Sequence, residues 1–446
     1  MDIKCKVSKN TYLVVYGNDK VSMKFPKGIE LDKQPFNETN VRNNAFSLTW
    51  SLSSMDRLNY DFGEVFFKNF ILNTCYGDIP TLADERNIKT DVLFREFEEA
   101  RKKIFFNDEK EKPQIFDEKF SDPKKAVILL SFGKDSLLSF GLASEIGMDV
   151  SLVFNVDTWE DSHEYNKKVS IYKDFKKNFK NKSYLLYDTS EKIHELDYPK
   201  HFQDFMCSTT LLHYTLLTMP IVHIEHAGSV IMGNEQNFND PYINKDGLTA
   251  FVHPDQTSKF MSGFNSLLSS YTRKNVSLVS PVEPIYNLFE MKILHSRYPE
   301  LLKYVMSCAD DKLKKGSWWC NECPMCAKSF LYTKAFGFDA KKMHLNRNFF
   351  EKGCEKLYPV FNRNPERTYE KPPKVRDEQL LSFYLAYKNG VKGYLIDKFK
   401  KECLNEAKQR YEELHKTFFG IHPADSLPKS MKQDITSIYK EEMSKL

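Results

Sequence analysis

Long apolar runs are missing from this 446-residue chain. No stretch approaches the ~18 consecutive apolar residues that a membrane-spanning helix needs, so no membrane span is expected. The opening Met1-Asp2-Ile3-Lys4-Cys5-Lys6 has no apolar core, so no signal peptide is expected either. Charge of one sign is also scarce: the formal net charge is +4, and Lys greatly outnumbers Arg. A dedicated nucleic-acid face would call for a stronger positive excess and more guanidinium forks, so that function class is disfavoured. The nine cysteines are unevenly spaced, which is not the pattern of a disulfide framework. No long internal repeat or low-complexity segment is present. These absences leave a soluble cytoplasmic protein with substantial cores and roughly three domains. A homo-oligomer is compatible with all of them.

The pattern changes along the chain. In residues 1–120, Tyr12 to Tyr16 and Val21 to Phe25 form β-rich runs around Gly17-Asn18-Asp19, which predicts a hairpin. Leu93, Phe97, Ala100 and Ile104 recur at helical spacing and predict a helix over 84–105. Residues 107–125 are polar and read as a linker. From Ala126, strand candidates at 126–130, 150–156, 183–187, 229–232 and 276–280 alternate with helical stretches at 136–146, 164–180 and 206–226. Alternation of this kind predicts a parallel sheet covered on both faces, with ligands beyond the C-terminal strand ends. That rule points to Asp157 after the second strand and to Gly233-Asn234-Glu235 after the fourth. Beyond 366 the pattern is helical, with one helix stopping at Asn389-Gly390 and another spanning about 395–417.

The most informative residues are Ser131-Phe132-Gly133-Lys134-Asp135-Ser136. They follow the aliphatic run Ala126 to Leu130 and precede Leu138, Leu142 and Ile146, one apolar helical stripe. Strand, short polar loop and helix together make an anion site, because unpaired backbone N–H groups and the positive end of the helix dipole face one spot. Gly133 allows close backbone approach to a phosphate, and Lys134 adds a point charge. A Walker loop is excluded, since Ile128 stands where its first Gly would be. The loop resembles the PP-loop of ATP pyrophosphatases, usually Ser-Gly-Gly-x-Asp-Ser, with Phe132 in place of the second Gly. Those enzymes split ATP between its α and β phosphates and pass AMP to a substrate oxygen.

Cys320, Cys323 and Cys326 form C-x2-C-x2-C, with Cys308 twelve positions earlier. Such spacing lets thiolates converge from one turn while a fourth completes a tetrahedron, which predicts a structural zinc site. A redox pair or an iron–sulfur cluster is the alternative. Cys5, Cys75, Cys207, Cys354 and Cys403 are isolated and read as packing residues.

A PP-loop followed by a four-cysteine knuckle resembles 7-cyano-7-deazaguanine synthase, and Ser280-Pro281-Val282, Glu290-Met291-Lys292-Ile293 and Ser307-Cys308 follow that family's order of landmarks. The loop with Phe132 and Lys134, the knuckle Trp319-Cys320-x-x-Cys323-Pro324-x-Cys326-Ala327 and Gly233-Asn234-Glu235 resemble the MurL family, UDP-N-acetylmuramoyl-L-alanyl-L-glutamate epimerases. The resemblance covers about residues 60–345. It implies an α/β fold: a parallel-sheet PP-loop (adenine nucleotide alpha hydrolase-like) domain over 121–350 with a zinc knuckle at 308–326. An α+β N-terminal domain over 1–120 and a helical C-terminal domain over 366–446 flank it. It further implies ATP, Mg²⁺ and structural Zn²⁺ as cofactors and a nucleotide-linked carboxylate as substrate. Ser131, Phe132, Gly133, Lys134, Asp135 and Ser136 would hold the phosphates, with Asp157, Gly233 and Asn234 near the nucleotide. Lys134, Glu235 and Asp255 are the catalytic candidates. Asp240 and His253 share their polar segment, Gln256 and Lys259 could bind an anionic substrate, and Cys207 could act as a thiol base. Three other readings stand: a deazaguanine-synthase-like amide or nitrile former, a tRNA-thiolating enzyme, and an ATP-binding sensor or scaffold without turnover.

Overall fold

The computed structural model describes residues 1–34, 36–107, 116, 121–157, 163–308, 316–362, 364–365 and 367–446, without the side chains of 157 and 163–165. Among the described residues twelve strands are formed: β1 Asp2–Ser8, β2 Thr11–Tyr16, β3 Asp19–Lys24, β4 Leu58–Tyr60, β5 Ile104–Phe106, β6 Asp122–Leu129, β7 Asp149–Asp157, β8 Ser183–Asp188, β9 Ala227–Ile231, β10 Pro241–Ile243, β11 Thr249–Phe251 and β12 Ser277–Val279. Ten of them join one mostly parallel sheet in the order β12-β9-β6-β7-β8-β3-β2-β1-β4-β5, and β10 and β11 form a separate ribbon. The fold class is therefore α/β.

Strands β6, β7, β8, β9 and β12 are mutually parallel where they pair. The chain runs outward from β6 through β7 to β8, then returns to place β9 and β12 on the other side of β6. The direction of winding thus reverses at β6, the point at which open α/β sheets hold their ligands beyond the C-terminal strand ends. Ala126, Val127 and Ile128 of β6 are all buried, because both faces of the strand are covered. Alternate residues of β6 feed two different cores. Ala126 and Ile128 join one that includes Leu380, Phe383 and Phe399 of the helical tail. Val127 joins another that includes Phe46, Trp50 and Phe67 of the N-terminal region.

The N-terminal hairpin forms as expected, β2 pairing antiparallel with β3 from Thr11↔Lys24 to Tyr16↔Asp19. It also does something the sequence did not foretell. β3 continues the sheet by pairing with β8 at Met23↔Asp188 and Lys24↔Tyr187. The helix expected over 84–105 is shorter, Thr90–Arg101, and a separate helix Lys68–Glu85 precedes it. Asn87, at φ 53°, breaks the run, and Ile104 leaves the helical stripe to open β5, paired with Leu58 of β4. The expected linker 107–125 is only partly within the described residues, and its end, Asp122 to Lys125, is strand β6. The helix expected over 395–417 is three, Tyr394–Glu402, Leu404–Gln409 and Tyr411–Phe418. Helices Phe36–Thr49 and Lys429–Met443 were not expected.

One helical run, Lys200–Glu225, is long and apolar enough by composition to cross a membrane, contrary to the sequence reading. Its most apolar window is 78% buried inside the fold. It lies against β6, β9 and the N-terminal helix Phe36–Thr49, so its apolarity serves the core.

Candidate functional site

The loop Ser131–Gly133 leaves the C-terminal end of β6 and enters the helix Lys134–Glu145, whose cap is Gly133. Its form is held by short-range bonds. Gly133 N–H donates to Ser131 Oγ at 3.3 Å, and Ser136 Oγ donates to Gly133 O at 3.1 Å. Phe132 adopts φ 62°, the left-handed region in which glycine is favoured. Its ring is fully buried, 5.3 Å from Phe154 and 5.7 Å from Phe175 between centroids. Strain of roughly 1–2 kcal/mol at that φ is offset by roughly 2–3 kcal/mol of ring burial. Phe132 therefore anchors the loop, and only its backbone could face a ligand.

Gly233 lies directly across from the helix start. A Cβ there would meet Asp135 Cβ at 2.8 Å and the Asp135 carbonyl carbon at 3.0 Å. Only a residue with no side chain lets the segment after β9 come this close. That approach delivers Glu235 to the loop. Asn234 is buried, bonded through Nδ2 to Gln256 O at 3.2 Å, and its carbonyl accepts from Ser280 Oγ at 2.7 Å.

At the centre is a buried ion cluster. Lys134 Nζ donates to Glu235 Oε2 at 2.7 Å, to Glu290 Oε2 at 2.7 Å and to Asp135 Oδ1. Asn287 Nδ2 donates to Glu235 Oε1. Burial works against the Lys134 ammonium, but the three carboxylates push its pKa well above the usual lysine range. Burial also opposes Asp135 ionisation, yet the Lys134 charge and hydrogen bonds hold its carboxyl below the usual range. Burial, reinforced by the Asp135 charge, pushes Glu235 up to about 7. Burial raises Glu290 well above the carboxylate range. The arrangement is one ammonium, one firm carboxylate, a Glu290 whose carboxyl burial holds well above the usual range, and a Glu235 poised near neutrality to gain or lose a proton.

Of the expected site residues, Ser131, Gly133, Lys134, Asp135, Ser136, Gly233, Asn234 and Glu235 lie together here. Glu290 and Asn287, on the helix Asn287–Arg297, belong to the cluster and were missed as site residues. Asp157 ends β7 opposite Asp188, and its side chain lies outside the described residues. Asp255 is buried and takes no part in the hydrogen bonds of the ion cluster; it accepts from Leu211 N–H at the start of the helix Thr210–Glu225, and burial pushes it up to about 7. Asp240 pairs with Lys374 Nζ at 2.7 Å, and burial lowers His253 to about 4. Cys207 is exposed in the turn Asp204–Thr209, which corrects its reading as a packing cysteine.

The tail also reaches this site. Glu378, on the helix Pro373–Lys388, accepts from Leu288 N–H at 2.8 Å, Tyr332 OH at 2.8 Å and Asn237 Nδ2 at 3.0 Å. It thereby fixes the start of the helix that carries Glu290 and the segment that carries Glu235.

Cys308, Cys320, Cys323 and Cys326 converge and could hold a metal ion such as zinc. Cys326 Sγ lies 3.6 Å from the sulfurs of both Cys320 and Cys323. A tetrahedron with metal–sulfur bonds of about 2.3 Å has edges of about 3.8 Å, so the four sulfurs fit a zinc ion. Backbone N–H groups of Cys320 and Glu322 point at Cys308 Sγ and Cys320 Sγ, at 3.2 and 3.5 Å, and would offset thiolate charge. The segment just before Cys308 is tied to the loop: Met306 N–H donates to Phe132 O at 2.8 Å and Lys134 N–H to Ser307 Oγ at 3.3 Å.

No protein-family model matches the chain, and no curated protein matches it.

Proposed function

We propose that the chain is a PP-loop enzyme that consumes ATP to AMP and pyrophosphate in the cytoplasm. Its reaction is epimerisation of the terminal glutamyl residue of UDP-N-acetylmuramoyl-L-alanyl-L-glutamate, or of a similar peptide precursor of the cell wall. The observation that carries the reading is the Ser131–Ser136 loop at the reversal of strand order, where backbone amides open the helix Lys134–Glu145 and Gly233 lets the segment carrying Glu235 pack against the helix start. The resemblance of that loop and of Gly233-Asn234-Glu235 to the MurL family supplies the substrate.

The chemistry suits the groups present. A substrate carboxylate oxygen attacks the α-phosphorus of ATP, the bond to the bridging oxygen breaks, and pyrophosphate leaves. The mixed anhydride that results no longer carries a negative charge beside the α-carbon, so the α-proton becomes far more acidic. A base near neutrality then suffices, and Glu235, pushed up to about 7, is such a group. Reprotonation on the other face followed by hydrolysis releases the epimer and AMP. Lys134 and the loop amides hold the phosphates, and a bound Mg²⁺ would supply charge neutralisation there. The four cysteines hold a structural zinc that takes no part in the reaction, since four sulfurs leave no open position.

The test is incubation with Mg-ATP and the L-glutamate precursor in D₂O, following AMP, pyrophosphate and deuterium at the glutamyl α-carbon. AMP release with deuterium incorporation is expected. AMP release without deuterium would move the reaction to another acyl-adenylate chemistry, such as amide or nitrile formation with ammonia. ATP binding with neither product would end the enzymatic reading.

A further inference from the structure

Lys134 sits in a nest of oxygens that an ammonium does not fully satisfy. One carboxylate oxygen each from Asp135, Glu235 and Glu290 lies within 4.8 Å of the others. Two more oxygens stand beside them with no hydrogen-bond partner among the described residues, Glu290 Oε1 and Asn287 Oδ1. Both residues are only 1% exposed and lie three apart on one helix face. A buried oxygen left without a partner costs about 1–3 kcal/mol, so the chain leaves two such penalties at one point. The donors are all hard oxygens, with no sulfur or imidazole among them. That set suits Mg²⁺, Mn²⁺ or Ca²⁺ and is unlike the four-sulfur cluster.

We propose that Asp135, Glu235, Glu290 and the amide oxygen of Asn287 form a divalent-cation site in which the Lys134 ammonium is the resident counter-ion, exchanged for the metal when it enters. Three carboxylates facing one ammonium favour a doubly charged ion once their protons leave. The unpaired oxygens of Glu290 and Asn287 gain a ligand at the same moment. The freed lysine arm can swing to the neighbouring Ser131–Gly133 loop, where it would meet phosphates under the function proposed above. The cation exchange itself does not depend on that function: while the ion is bound Glu235 is a ligand, and it can serve as a base only once the ion has left.

The experiment uses the full-length protein and Mn²⁺ alone, with free Mn²⁺ followed by electron paramagnetic resonance. One Mn²⁺ site per chain is expected. Glu290→Gln and Glu235→Gln should each weaken it about tenfold or more, and Lys134→Met, which removes the competitor, should tighten it about tenfold. Reductive methylation read by mass spectrometry supplies the second measurement on the wild-type chain: Lys134 should be protected without Mn²⁺ and modified with it. A chain without a stoichiometric site, or a site indifferent to both glutamate substitutions in folded protein, would overturn the cation site. Tight Mn²⁺ binding with Lys134 still protected would overturn the exchange, because relief of charge alone does not unmask a lysine. Loss of AMP formation with the Mn²⁺ behaviour intact would count against the enzymatic reading and leave this inference standing.

Discussion

Among the described residues two clusters are able to hold a metal, and they are built on opposite principles. The four sulfurs of Cys308, Cys320, Cys323 and Cys326 already lie near tetrahedral spacing, with backbone N–H groups aimed at two of them. The oxygens of Asp135, Glu235 and Glu290 enclose a lysine, and two oxygens nearby have no partner among the described residues. The first arrangement is complete once an ion is bound, which is what a structural staple requires. The second spends stability to keep charged groups buried and unsatisfied, the usual mark of a working site. The two lie close in the chain's architecture, since Met306 and Ser307 bond the loop while Cys308 enters the knuckle. A staple beside a strained site holds the strain in place.

The largest effect should come from breaking the sulfur side. Cys323→Ser should remove one zinc per chain, measured by atomic emission, and cost about 5 kcal/mol or more in a chemical denaturation curve. An unchanged curve would end the contrast between the clusters. Next is Lys134→Met, which strands buried carboxylates and should cost about 3–5 kcal/mol. That loss has a pH signature. Glu235 titrates near 7 in the fold and near 4.5 in the unfolded chain, so its contribution is present at low pH and fades as pH rises through 7. The variant should therefore melt closer to wild type at pH 6 than at pH 8, and a pH-independent difference would contradict the charge account. Gly233→Ala, which forces a Cβ against Asp135, should cost about 3 kcal/mol and depress AMP formation beyond what stability explains. Kinetics on the folded fraction separate the two effects. Smallest is Asp255→Asn. Asp255 is a buried acid raised to about 7 with no cation among the causes of its shift, so it serves as the control. Wild-type stability should fall between pH 5.5 and 8, and the substitution should flatten that fall by about 2 kcal/mol.

The sequence made half of this legible, for physical reasons. β6 shows itself because a strand covered on both faces must be aliphatic without interruption, and the loop after it combines glycine, serine and lysine where a helix begins. Glu235 could be found because it follows a strand that had to end at the crevice. Glu290 and Asn287 could not, since a polar residue on an amphipathic helix faces solvent or site with equal ease until the neighbouring helix is placed. Phe132 looked like a departure from a glycine position. The structure gives its account: the left-handed backbone is retained, and a buried ring compensates for it. The joining of β3 to β8 was hidden because two residue pairs leave no periodic trace.

That short junction governs what can be cut from the chain. The N-terminal hairpin covers the outer side of β8, with Thr189 N–H bonded to Ser22 O at 2.9 Å just beyond it. A fragment beginning near residue 121 would present β8 as a bare edge and strip the cover from Val127 and Val153. Naked strand edges beside exposed aliphatics recruit other chains. On this account the first hundred residues guard against self-association, and a fragment beginning near residue 121 should precipitate or form fibres where the whole chain stays dispersed.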